Sequence, residues 1–456
     1  MIYNILKALF GLALRIYFRH IYVRNVPEWN PNRPTVFVAN HQNAMIDAML
    51  IGILLDRPLH FMSRGESFLH PFTRWLYHQF NMHPIYRKAH TPKLCYRNLQ
   101  QLTHFQELLR KHPLLIFPEG ISQCTPRLQP IQPGAARVIL GAEAAADYQL
   151  GVQVIPVGLN YSSPHRFRSE VFLNFGAPIP LAHYLTLHAQ HPRKAVRQLS
   201  QHIARAIDQH CLTIPEEQLE PLVEQVVTVY RDELTRHHQI YPWEKNRNFL
   251  LQKDLIQVLH FFEKYRPKPL ERLHQELHAY FQVLQQYQLS DQLLTHSWKA
   301  QHHSPVRLHQ LLYWLGLPLY WYGYLHHWPA RQIAHFFSYR KQLRPDFRGS
   351  ILLSVGVLNF LLTYLIAFVL MHGWSQSLFV ASIYVFSLPF LGWFALHYAE
   401  GQAALQAHLM LKSMLRQHPE KLQQLLQHRQ QIVQRLRAAH QFYLAQKRNK
   451  VPAKTG

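Results

Sequence analysis

The run Phe37-Val-Ala-Asn-His41-Gln-Asn-Ala-Met-Ile-Asp47 sets one imidazole close to one carboxylate, with five residues between them. Thr35–Ala39 is short, apolar and β-branched, so it reads as a strand, and the residues beyond Asn43 read as a helix. His41 therefore falls at the carboxyl end of a strand, the edge on which open α/β sheets build their sites. A histidine there can act as a general base. A carboxylate can orient it and stabilise its imidazolium form. Asp47 is the only acid in the segment. A strand-end histidine is also a common structural residue, so the pair alone decides nothing.

Three further segments carry candidate chemistry. Leu114-Leu-Ile-Phe-Pro118-Glu119-Gly120 is an apolar strand breaking into a turn, and it places Glu119 at a strand end. The carboxylate could meet a substrate hydroxyl or a positioning Arg; the turn itself is the plainer reading. Asn81-Met-His-Pro84-Ile-Tyr-Arg87-Lys88 offers two cations, one of them able to grip a phosphate with two parallel bonds. Val154-Ile-Pro156-Val157-Gly158 is an apolar strand bearing a proline.

In this order and at these separations, the four segments resemble the four sequence blocks of the glycerol-phosphate and lysophosphatidate acyltransferase family. Asn40, His41 and Asp47 match its first block, N-H-x4-D, and Arg87 the arginine ending its second. Phe117–Gly120 match the start of F-P-E-G-T-R-S, and Val154–Gly158 the fourth. Pro133-Gly134-Ala135-Ala136-Arg137 is similar to the K-x-G-A stretch after the third block. The resemblance covers about residues 30–180. It implies an α/β domain, direct acyl transfer from acyl-CoA or acyl carrier protein as co-substrate, no metal and no other cofactor. It also implies residue roles: His41 as base, Asp47 as its orienter, Arg87 with Lys88 on the acceptor's phosphate, and Glu119 and Gly120 at the substrate. Two departures stand out. Five residues rather than four separate His41 from Asp47, and Ile121-Ser122-Gln123 replaces T-R-S. With that arginine missing, Arg127 or Arg137 could substitute. The longer spacing resembles the branch that acylates glycerol 3-phosphate or dihydroxyacetone phosphate and carries a helical, membrane-spanning extension. Acylation of lysophosphatidate or another lysolipid is the alternative within the family, and a non-catalytic membrane scaffold the alternative outside it. No G-x-S-x-G occurs, so a serine acyl-enzyme is not indicated.

The elements that must position these residues follow from the pattern. Residues 31–185 alternate apolar runs (Thr35–Ala39, Leu59–Ser63, Leu114–Phe117, Val152–Leu159, Glu170–Phe175) with helical stretches such as Leu94–Leu109 and Ala135–Ala146. That alternation predicts an α/β fold with a mostly parallel sheet flanked by helices. Residues 1–30 form an amphipathic lead, with Ile5, Leu9, Leu12 and Ile16 at helical spacing. The lead reads equally as a membrane-interface helix or as a helix packed on the domain. Residues 186–305 read as helical, 306–399 as a membrane region and 400–456 as a basic amphipathic tail.

The membrane reading rests on charge. No Asp, Glu, Lys or Arg lies between Arg348 and Glu400, and Ile351–Met371 and Leu378–Leu396 are each long enough to cross a bilayer. Together they predict a transmembrane helical hairpin. The aromatic stretch Leu308–Trp328, with Pro318, could be interfacial, re-entrant or a third span. Positive flanks, including ten Lys and Arg from Lys412 to Lys454, place both ends and the catalytic domain on the cytoplasmic face. Of 456 residues 48% are hydrophobic and 16% charged, yet the net charge is +23. A chain both apolar and basic suits an anionic lipid surface; no nucleic-acid recognition motif appears. Cys95, Cys124 and Cys211 are isolated, which predicts neither disulfides nor a metal site.

Overall fold

The computed structural model describes residues 2–26, 33–86, 92–237, 247–291, 293–294 and 306–449. The described chain divides into two compact units, Met1–Thr213 with Ala334–Val357, and Ile214–Ile333 with Leu358–Gly456.

The first unit holds one seven-stranded sheet in the order β1-β7-β6-β2-β5-β3-β4. Its strands are β1 (His20–Arg24), β2 (Thr35–Ala39), β3 (His60–Arg64), β4 (Met82–Ile85), β5 (Leu114–Ile116), β6 (Gln153–Tyr161) and β7 (Glu170–Phe175). Every pairing is parallel except β6 with β7. β2 sits at the middle and all five of its residues are buried, as expected of a parallel strand covered on both faces. Alternate side chains serve the two faces. Phe37 and Ala39 pack with Leu14 of α1 (Ile2–Tyr17) and Leu50 of α2 (Ala44–Leu54). Val36 and Val38 pack with Phe105 of α4 (Asn98–Leu109), Ile139 of α5 (Gly134–Ala144) and Ile203 of α7 (Pro192–His210). α3 (Pro71–Gln79) lies between β3 and β4 in the chain, and α6 (Ala182–Gln190) precedes α7.

The sheet unit extends past residue 185, because Ala195, Leu199, Ile203 and Ile207 of α7 are wholly buried in its core. Gly158 shows how close that approach is. A Cβ built there would lie 2.0 Å from the carbonyl oxygen of His210. α1 packs on the domain along one face only. Leu14 and Tyr17 are buried in the core, while Ile5, Leu12 and Ile16 of the apolar stripe are exposed.

The second unit is helical: α8 (Leu219–His237), α9 (Arg247–Tyr265), α10 (Pro267–Gln286), most of α11 (Val306–Ser338), α12 (Pro345–Ser375) from Leu358 on, α13 (Leu378–Gln417) and α14 (Pro419–Asn449). The Leu308–Trp328 stretch lies within the continuous α11, which contains Pro318 and Pro329. α12 and α13 are the two described helices long and apolar enough to cross a membrane. They expose Leu358, Leu362, Leu365, Phe379, Phe386 and Phe390, an apolar surface that marks a membrane-associated segment. Leu422, Leu425, Ile432 and Leu436 of α14 are buried among the helices of this unit.

Candidate active site

The site is built where β2, β5 and β6 end. Asn40 leaves β2 and locks it to β6 by a two-way bond: its amide nitrogen donates to the Leu159 carbonyl at 2.9 Å, and the Leu159 N–H donates to its amide oxygen at 2.7 Å. The chain then turns. His41 Nδ1 lies 2.8 Å from Asp47 Oδ2, with the imidazole 18% exposed and the carboxylate fully buried. With Nδ1 donating to the carboxylate, Nε2 is left as the proton acceptor.

Asp47 sits in the first turn of α2, and three neighbours fix it there. The backbone N–H groups of Gln42 and Asn43 both donate to Oδ2 at 2.8 Å, and the Tyr161 hydroxyl donates to Oδ1. Between His41 and Asp47, Ala44 takes φ of +42°. That conformation costs a residue with a Cβ roughly 1–2 kcal/mol. Burial and the neighbouring Asp47 carboxylate push the Tyr161 phenol well above its ordinary pKa, so it stays a donor.

Glu119 holds the loops rather than facing outward. Its Oε1 accepts the His41 backbone N–H at 2.6 Å and its Oε2 accepts that of Gln129 at 2.8 Å. Burial pushes its carboxyl up to about 7, against the pull of those two N–H groups. Gly120 closes the turn, its N–H donating to the Phe117 carbonyl at 3.1 Å, and its φ of +70° suits glycine. The Phe117 ring stacks on His41 with centroids 4.0 Å apart and planes 11° from parallel. On the far side, the Gln123 N–H donates to the His41 carbonyl at 3.0 Å.

Of the remaining candidates, Arg127 is half-buried in the loop after Gly120, and Arg137 is exposed in the first turn of α5. Arg87 and Lys88 lie outside the described residues. Sequence reasoning missed Tyr161 and Phe117 as parts of the site. Tyr161 ends the strand of the fourth block, and its phase along β6 was the available signal. It also missed Ser350, whose hydroxyl donates to the Asn43 carbonyl at 3.2 Å from the N-terminal part of α12. Among the described residues one group has metal-ligand spacing, Glu216, His260 and Glu263, with ligand atoms within 4.8 Å of one another. It belongs to the helical unit and contains none of the residues above.

The acyltransferase family pattern matches residues 20–160, the segment that carries β1 to β6 and the His41–Asp47 pair. That segment is an acyltransferase domain. Glycerol-3-phosphate O-acyltransferase 1 of Saccharomyces cerevisiae is 27% identical over 42% of this chain and 24% of its own length. Glycerol-3-phosphate O-acyltransferase 2 of the same yeast is 38% identical over 23% of this chain and 14% of its own. A 1-acyl-sn-glycerol-3-phosphate acyltransferase of Chlamydomonas reinhardtii is 30% identical over 28% of this chain and 35% of its own. The chain thus spans about a third or less of each of these relatives' length.

Proposed function

We propose that the protein is a glycerol-3-phosphate 1-O-acyltransferase of membrane lipid synthesis, drawing its acyl chain from acyl-CoA or acyl carrier protein. The observation that carries this reading is the His41–Asp47 contact at 2.8 Å, formed despite the five-residue spacing. In this mechanism His41 Nε2 removes the proton of a glycerol hydroxyl as its oxygen attacks the thioester carbonyl. Asp47 stabilises the resulting imidazolium. Collapse of the tetrahedral intermediate breaks the carbon–sulfur bond, and the imidazolium returns the proton to the departing thiolate. The ester is formed, the thiol is released and His41 is neutral again. Direct transfer needs no enzyme nucleophile, and the pair supplies a base without one.

Similarity to two yeast proteins named for glycerol 3-phosphate favours that acceptor. Similarity to the algal protein favours a second reading, acylation of lysophosphatidate. The uncharged spans and their basic flanks support a hairpin with the catalytic domain on the cytoplasmic face. The deciding experiment offers glycerol 3-phosphate, dihydroxyacetone phosphate and lysophosphatidate in turn, with a labelled acyl-CoA and an acyl carrier protein donor. The highest kcat/KM on glycerol 3-phosphate agrees with the proposal. A preference for lysophosphatidate moves the protein to the second acylation, and transfer to no acceptor contradicts both.

A further inference from the structure

Two guanidinium groups flank one aromatic ring beside the catalytic loops. Arg64 is the last residue of β3, and its guanidinium carbon lies 4.5 Å from the centre of the Phe347 ring. That of Arg344 lies 5.4 Å from the same centre. β3 and β2 are both parallel neighbours of β5, so Arg64, the Glu119 loop and His41 leave the sheet on one edge.

Arg344 is anchored to the catalytic loop. Its Nη2 donates to the Ser122 carbonyl at 2.7 Å, and Nε and Nη2 each lie 3.0 Å from an oxygen of Asp346. Asp346 is buried and also accepts from the Ser122 hydroxyl. The next residue, Gln123, is the one that donates to the His41 carbonyl. The segment is fixed a second time by the Ser350 bond to Asn43 and by Gly349, where a Cβ would stand 2.7 Å from the Asn43 amide oxygen. Held in this way, the Arg344 side chain is still 45% exposed. The Asp346 carboxylate is bonded to the Arg344 guanidinium, and Arg64 brings a second guanidinium to the same Phe347 ring. With Nε and Nη2 committed to Asp346 and Ser122, Arg344 has Nη1 to donate to a phosphate oxygen, and Arg64 adds a second cationic donor group.

We infer that Arg344 and Arg64 form the subsite for the phosphate monoester of the acceptor, an assignment that rests on the acyl-transfer reading above. Ser122 stands where the third block departs from F-P-E-G-T-R-S, in the place of its arginine. Arg344 brings a guanidinium to that residue from more than two hundred positions away. In this assignment Arg344 takes the role that the sequence left to Arg127 or Arg137.

The test uses the full chain in phosphatidylcholine vesicles, which carry no net lipid charge. KM is measured for glycerol 3-phosphate and for the acyl donor, and Ki for inorganic phosphate, in wild type, Arg344→Gln, Arg64→Gln and Arg344→Lys. Losing a charge-assisted bond should raise the glycerol 3-phosphate KM and the phosphate Ki by about tenfold or more in the Gln variants. The donor KM should stay within about twofold, because the donor does not need this subsite. Arg344→Lys should fall between wild type and Gln. Unchanged KM and Ki in both Gln variants overturn the assignment, as does an equal rise in both substrates' KM. If Arg344→Gln does not fold, Arg64→Gln carries the comparison. A wild-type protein that turns over no glycerol 3-phosphate contradicts the proposed function instead. Calorimetric binding of inorganic phosphate to wild type and variants then decides the subsite: weaker binding by the variants supports it, and equal binding overturns it.

Discussion

Glu119 holds His41 by its backbone, not by its ring: the carboxylate Oε1 accepts the His41 N–H at 2.6 Å while Oε2 accepts that of Gln129. One buried acid thus ties the end of β2 to the loop that follows β5, and the orientation of the imidazole depends on it.

The pH dependence of that tie has a definite sign. The Glu119 pKa is raised from 4.5 to about 7, so the folded state holds this proton more tightly than the unfolded chain. Its contribution to stability is full below about pH 4.5 and is lost as pH rises through about 7, a change of roughly 3 kcal/mol at most. Thermal unfolding of wild type should show that decline between about pH 4.5 and pH 7. Glu119→Gln should lack it and should lower kcat by about tenfold, since one backbone N–H loses its acceptor. An identical pH dependence in the variant would refute the assignment.

Tyr161 is expected to matter through Asp47. Removing its hydroxyl in Tyr161→Phe leaves Asp47 Oδ1 without that donor in a fully buried place. The cost is about 1–3 kcal/mol, divided between stability and kcat. The KM for either substrate should not change. Stability and kcat both equal to wild type would show that Tyr161 is a bystander.

Gly158 is expected to be intolerant for a steric reason. A methyl group there would meet the carbonyl of His210 and force α7 away from β6. Gly158→Ala should destabilise the sheet unit by about 1–3 kcal/mol, read as a lower unfolding midpoint. A midpoint unchanged from wild type would mean that α7 can shift without cost.

Much of this arrangement is legible in the sequence, and the limits have physical causes. Thr35–Ala39 and Glu170–Phe175 appear at the residues expected, because each is a short, mainly apolar run, buried in the sheet. β1 and β4 were not foreseen. They are the two edge strands, and their residues are mixed in character, as in His20-Ile-Tyr-Val-Arg24 and Met82-His-Pro-Ile85. The His41–Asp47 pair was legible from residue type and spacing. The roles of Tyr161, Asp346 and Ser350 were not, since each reaches the site across more than a hundred residues of chain. The positive φ of Ala44 within that spacing was not legible, because nothing in an alanine signals it.

The most direct test of the central claim is acyl transfer to glycerol 3-phosphate by membranes containing wild type or His41→Ala at matched expression. Removing the base, with Asp47 left in place, should lower kcat by about three orders of magnitude or more while the unfolding midpoint stays near that of wild type. Activity like that of wild type in His41→Ala would contradict the account.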